Sequence, residues 1–407
     1  MKVNLQQKIV GTLFGTLIVF GTIPIPSPSP TPSGSPPPSS TLAPRPTRSL
    51  TPTPGPVFSI PASIAGDCSR DVSTEIANWV SSVPDNATLL FGQNACYRAE
   101  TFIRFDNRNA LTLDWNGSTL RRTQLSPRAL QYPAANPHLQ FVGGSRITVM
   151  NLHITGTNTT SDTGMIGFGG YLTTYEFEHG ILLSGVRGAT IQDVSIDAVW
   201  GDGIYLAPRQ GASTTNALIT RVIIDRNGRQ GVGIVGAHDT IVDGVQIFHS
   251  RRSGIDLEPN PGNVVDNVEI RNSSLNSRLL AFPSGGSSQV SHIYIHDNTI
   301  NNTGVPWVYV NASDGTRRHD WRIWDNRVLH DLGSPVAGML FVNIDNVDVR
   351  RNTVPFASGR NMTAIEFRNA GGQLSIIGNT FTNACRLYST DALTTPVATS
   401  ANVFGCP

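Results

Sequence analysis

The chain has 407 residues, 30 Lys plus Arg against 29 Asp plus Glu, and only 14% of it is charged. Both lysines, Lys2 and Lys8, precede residue 9, so the remainder carries 28 − 29 = −1; that excludes a basic nucleic-acid surface and any lysine-based catalysis. With 39 glycines and 7% aromatic residues, the composition suits short strands and many turns rather than long amphipathic helices.

From the N-terminus, an apolar run from Ile9 to Ile23 follows the two lysines. Its length is nearer a signal-peptide core than a membrane span, and no Ala-x-Ala site follows. Residues 1–23 therefore read as a signal peptide or a signal anchor, the latter giving a membrane tether. Either assignment makes the protein secreted or exposed at the cell surface. Residues 24–65 are rich in Pro, Ser and Thr, cannot bury a core, and read as a disordered linker. The folded body is expected over 66–407.

Within it, Asp71 to Val83 places Val72, Ile76, Trp79 and Val80 on one side of a short helix, read as an N-terminal cap. Four cysteines fall in two pairs at the ends of the body. In an exported chain, Cys68–Cys96 and Cys385–Cys406 are expected to be disulfides.

Between these ends the sequence repeats. One strand type opens on Gly180-Ile181, Gly203-Ile204, Gly231-Val232 and Gly254-Ile255, at steps of 23, 28 and 23 residues. A second type follows each with alternating apolar residues, from Ile191/Val194/Ile196 to Leu374/Ile376. Asn298, Asn326, Asn352 and Asn379 recur after it at steps of 28, 26 and 27 and are expected at left-handed corners, stacked amide on amide. Coils of this length cannot bury their own apolar face. Stacking at about 4.8 Å does it, which is a β-solenoid of about ten coils.

Two sets of segments carry a resemblance. LLFGQNACYRAETFIRFDNRNALTLDWNGSTLRR resembles the opening of pectate-lyase-like and polygalacturonase-like β-helix proteins, and WGDGIYLAP, GRQGVGIVGAHDTIVDGV and SGIDLEPNPG resemble their central coils. The resemblance implies an all-β, single-stranded right-handed parallel β-helix that meets a polysaccharide. It does not fix the reaction, because such proteins include lyases, hydrolases, epimerases and binding spikes.

Aligning the four Gly-Ile strands gives outward columns. Leu182, Tyr205, Gly233 and Asp256 form one; Ser184, Ala207, Val235 and Glu258 form another; His179, Asp202, Gln230 and Ser253 precede the glycines. Glu178, Trp200, Arg229 and Arg252 join the same face, and Gly233 is expected to leave a hollow for a sugar ring. The expected catalytic set is Asp202, Asp256, Glu258, Arg229 and Arg252, with His179, Trp200, Tyr205 and Gln230 as substrate contacts. Asp202 and Asp256 sit two coils, or about 9–10 Å, apart along the stack. Paired carboxylates suit glycoside hydrolysis, and carboxylates with an arginine base suit calcium-assisted elimination. No metal is assigned, though calcium is a candidate. The histidines His238, His249, His292, His296, His319 and His330 read as turn or surface residues.

The named families are matched incompletely. Of the polygalacturonase motifs N-T-D, D-D, G-H-G and R-I-K, only the Asp-Gly of Gly201-Asp202-Gly203 is present, and the D-P-H motif of alginate epimerases is missing. The reading is thus an extracellular polysaccharide lyase or glycoside hydrolase, acting as a monomer. Its alternative is a non-catalytic glycan-binding or structural surface protein.

Overall fold

The computed structural model describes residues 55–124, 136–158, 173–276, 281–286, 288–301, 306–312, 315–332, 337–358 and 361–406. The expected export segment, and the expected linker as far as residue 54, lie outside the described residues. The folded body starts earlier than residue 66, however. Val57–Ser59 is already a strand, in parallel register with Ala87–Leu90, and Ile64 is buried. The prolines around Val57-Phe58-Ser59-Ile60 hide a four-residue strand signal inside a linker-like composition.

The chain winds as a right-handed parallel β-helix, and its ladders are parallel from end to end. One sheet contains eleven strands, beginning at Ile103–Asp106 and Leu139–Val142 and ending at Arg386–Thr390. Its middle strands are Ile181–Ser184, Ile204–Ala207, Val232–Ile234 and Ile255–Leu257. They pair Ile181 with Ile204, Ile204 with Val232, and Val232 with Ile255, the register expected from the Gly-Ile repeat. Gly180, Gly203 and Gly231, which open three of these strands, lie where successive coils come close. A Cβ on Gly203 would stand 2.7 Å from the Gly231 carbonyl oxygen, and one on Gly231 would stand 2.6 Å from that of Gly254.

The helix Ser73–Ser82 buries Ile76, Trp79 and Val80. The Asp71 carboxylate accepts the Ser73 N–H at 2.9 Å, satisfying one donor of the first turn. In chain order the helix follows Val57–Ser59 and Asp67–Asp71, and it packs on Ile103–Asp106. It therefore covers the end of the eleven-strand sheet, while those two short strands extend the others. The disulfides Cys68–Cys96 and Cys385–Cys406 are both formed, each joining neighbouring coils at Cα separations of 5.0 and 4.4 Å.

Inside, alternation is kept: Ile191, Val194 and Ile196 are buried, as are Val268 and Ile270, Ile293 and Ile295, and Trp321 and Ile323. Aromatic rings stack along the bore, Phe105 on Phe141 at 4.7 Å and Phe341 on Phe367 at 5.3 Å. The asparagine column is present and runs one coil further, to Asn402. Its residues do not take the left-handed corner, however. Positive φ belongs to the residue before each: Asp297 at 54°, Asp325 at 55°, Arg351 at 50° and Gly378 at 66°. Each asparagine is instead turned inward, where its amide bonds both the main chain and the next asparagine.

Candidate functional site

The outward face of the eleven-strand sheet is not bare. Leu182, Tyr205, Ala207 and Val235 form a second small apolar cluster outside the bore, with Phe177 against it. Beside this cluster the register stacks Tyr205 on Gly233 and Gly233 on Asp256. The expected hollow above Gly233 is filled: a Cβ there would lie 2.5 Å from Asp202 Oδ2 and 2.9 Å from Tyr205 Cδ2. The glycine is needed so that a carboxylate and a ring can approach the backbone.

Arg229 and Gln230 organise the centre. Arg229 donates to Asp202 Oδ2 at 2.8 Å and to Glu258 Oε2 at 3.4 Å. Its Nε lies 3.8 Å from Glu176 Oε2, and its guanidinium lies 5.9 Å from the centre of the Tyr205 ring. Gln230 ties the two aspartates together: its backbone N–H donates to Asp202 Oδ1 and its side-chain amide to Asp256 Oδ2, both at 2.8 Å. The Asp202 N–H donates to His179 Nδ1 at 3.0 Å, so the ring proton of neutral His179 sits on Nε2. The His179 ring stacks on Tyr205 at 4.4 Å.

Burial sets the electrostatics. Asp202 is 0% exposed and its pKa is pushed up to about 6, desolvation outweighing Arg229 and the Gln230 hydrogen bond. Asp256 is 6% exposed and is pushed up to about 7, first by desolvation and then by the Glu258 charge. Burial also raises Glu176, against the pull of Arg229 and Arg252. Burial depresses His179 and keeps it neutral, with Arg229 adding to the effect. Arg229 is itself buried, yet Asp202, Tyr205, Glu258 and Glu176 hold its pKa above the usual arginine value.

Asp202, Arg229, Gln230, Asp256, Glu258, His179 and Tyr205 are thus brought together, with different exposures. The side chain of Glu258 is 37% exposed and that of Arg229 is 12% exposed. His179, Tyr205, Gln230 and Trp200 are buried; Trp200 donates to Thr157 Oγ1 at 3.0 Å and leans on Tyr175. Arg252 sits in the next coil, where its charge acts on Asp202, Asp256 and Glu176. Glu178 points elsewhere, 3.6 Å from buried Arg122. The residue missed from sequence is Glu176. The run Glu176-Phe177-Glu178 puts only one glutamate toward Arg229, and the non-strand backbone there makes sequence alternation a poor guide to which.

Among the described residues, no three His, Cys, Asp or Glu side chains come together as a metal site. Asp202, Asp256 and Glu258 meet nitrogen donors instead, a set that does not fit calcium. A separate cavity of about 360 Å³ lies among Val80, Val83, Pro84, Phe105 and Arg108. Its guanidinium is taken up by the carbonyls of Val80 and Val83 and by Asp85, which is a helix C-terminal cap.

No curated protein matches the sequence. The structure is similar to that of a double mutant of the tailspike protein of E. coli bacteriophage HK620 in complex with pentasaccharide, at 14% identity and a TM-score of 0.53. It is similar also to a second double mutant of that tailspike, at 13% identity and a TM-score of 0.55. In both cases the match covers 84% of this chain and 64% of the other, so the chain spans under two thirds of the tailspike's length. The family described as "Right handed beta helix region" matches residues 179–327, the stretch that contains most of the cluster around Arg229. With the parallel ladders described above, that match supports a right-handed parallel β-helix fold.

Proposed function

We propose that this is an extracellular glycoside hydrolase acting on a polysaccharide laid along the outward face of the eleven-strand sheet. The observation that carries the reading is the pair Asp256 and Glu258. They are two residues apart on one outward edge, one carboxyl kept protonated near neutrality by burial and the other open to solvent. Their Cα atoms are about 7 Å apart by strand rise, and alternation puts both side chains on the same outward face. Asp256 gives its proton to the departing glycosidic oxygen. Glu258 takes a proton from the water whose oxygen bonds to the anomeric carbon as the old carbon–oxygen bond breaks. Arg229 fixes the Glu258 carboxylate. Asp202, wholly enclosed, is a positioning residue that holds Arg229 and Gln230.

Elimination is less well supported, because a guanidinium surrounded by carboxylates is a poor base. A non-catalytic glycan binder is the second reading, favoured by the near-complete burial of the cluster. The fold shared with the pentasaccharide-bound tailspike and the two disulfides agree with an extracellular glycan-facing protein under either reading. Release of reducing ends from a polysaccharide panel, with absorbance of unsaturated products followed in parallel, tests the proposal. New reducing ends without unsaturation support hydrolysis; unsaturated ends, or glycan retention without cleavage, would overturn it.

A further inference from the structure

The charges gathered around Arg229 do not match those of an anionic sugar. Glu176, Asp202, Asp256 and Glu258 supply four carboxyl groups, and Arg229 and Arg252 are the guanidiniums whose charge acts on them, so the formal balance is 2 − 4 = −2. Arg229 is committed: it lies within 2.8 Å of Asp202, 3.4 Å of Glu258 and 3.8 Å of Glu176. Protonating both aspartates brings the balance only to zero. The site therefore gains an excess of positive charge only where a glutamate is protonated as well. Recognition of a uronate needs a cation facing the sugar carboxylate to offset its desolvation. A uronate here would instead add an anion beside Glu258 and Glu176, in surroundings that screen poorly. Uncharged sugars meet no such penalty, and their hydroxyls can donate to the same carboxylates.

We infer that this site is selective for a neutral glycan and rejects uronate-bearing chains. The inference rests on the reading of this face as the glycan site, and it deepens that reading by naming the substrate class. It also removes uronate elimination as a chemistry of the site.

The test uses the full-length protein in two assays. The first is binding at pH 7 to an array of neutral glycans and uronate-bearing glycans, with polygalacturonate and alginate each present in native form and in carboxyl-reduced form, whose uronates have become neutral hexoses. The second is reducing-end release from the bound members. The expected result is that the bound members are neutral, and that any carboxyl-reduced chain that binds does so at least about tenfold more tightly than its native parent. Native uronate chains binding as tightly as their reduced forms would overturn the inference while leaving hydrolysis open. Neutral binding without cleavage would uphold the inference and sink the hydrolase reading. An array with no bound member would count against both.

Discussion

Arg229 and Asp202 form a 2.8 Å ion pair in which the aspartate is fully enclosed and the arginine nearly so. Such a pair adds little over an apolar replacement, but it is costly to break from one side. Arg229→Ala leaves Asp202 without its cation and is expected to cost about 3–5 kcal/mol. Asp202→Asn should cost much less, since the amide oxygen can still accept from Gln230 or Arg229, and Arg229 keeps Glu258. Urea unfolding of the two variants checks the ordering, and equal losses would mean that the pair does not anchor the cluster.

Asp256 links the proposed chemistry to pH. Its folded pKa, about 7, is raised above the ordinary aspartate value near 4. Between those values the folded state holds a proton that the unfolded state has lost. Stability from this group is complete below about pH 4 and falls as pH rises through about 7. Glu269, depressed to about 2 by His296 and Arg271, acts in the opposite sense and only at lower pH. Asp256→Asn should flatten the decline of unfolding free energy between pH 4 and 8. It should also lower kcat by about 10²- to 10⁴-fold, the usual contribution of a general acid. Parallel stability curves for wild type and variant would show that Asp256 is ionised throughout.

The geometry at Gly233 gives a prediction that sequence alone misdirects. The absence of a side chain there suggested a vacancy, but the space belongs to Asp202 and Tyr205. Both are held, Asp202 by two donors and Tyr205 by the stacked His179, so neither can simply rotate away. Gly233→Ala should cost about 1–3 kcal/mol as overpacking and displace the Arg229 clamp. Gly405→Ala, where nothing lies within 4 Å, is the control and should be neutral. A Gly233→Ala protein with wild-type melting and glycan response would show that the packing relaxes freely.

The contrast between Gly233 and the Gly-Ile register shows which features were legible. Period-2 alternation and a coil repeat fix which residues stack, because every coil obeys the same geometry. Ile181, Ile204, Val232 and Ile255 therefore fell in one column as read. What a column does outside the bore depends on neighbours that follow no period. Glu176 reaches Arg229 from a segment outside the strands, and Val57–Ser59 pairs from within a Pro-rich stretch. The left-handed residue at the asparagine corner was misplaced by one position. Asparagine tolerates that conformation but gains more here from buried amide bonding than from the corner itself.

That column supplies the last prediction. Asn326 donates to the carbonyls of Ile295 and Trp324 and to Asn352 Oδ1, each at 2.9 Å, while its Oδ1 accepts from the backbone and side-chain nitrogens of Asn298. Asn326→Ala removes all five bonds: the Asn298 backbone N–H loses its acceptor and the Ile295 carbonyl its amide donor, while Trp324 keeps the Asp297 N–H and the Asn298 amide keeps the Ile270 carbonyl. Each buried orphan costs about 1–3 kcal/mol, so the variant should lose several kcal/mol in total unless water enters. Asn326→Asp is informative because it keeps the acceptor and removes the amide donors. If hydrogen bonding rather than volume holds the corner, the aspartate variant should be at least as unstable as alanine at pH 7 and recover partly at low pH, when its carboxyl can donate. Urea midpoints at pH 4 and pH 7 read this directly. An aspartate variant indistinguishable from wild type at pH 7 would mean that the amide ladder contributes nothing. Glycan binding should survive both changes once folding is secured at low temperature, because the ladder turns into the bore, away from Asp256 and Glu258.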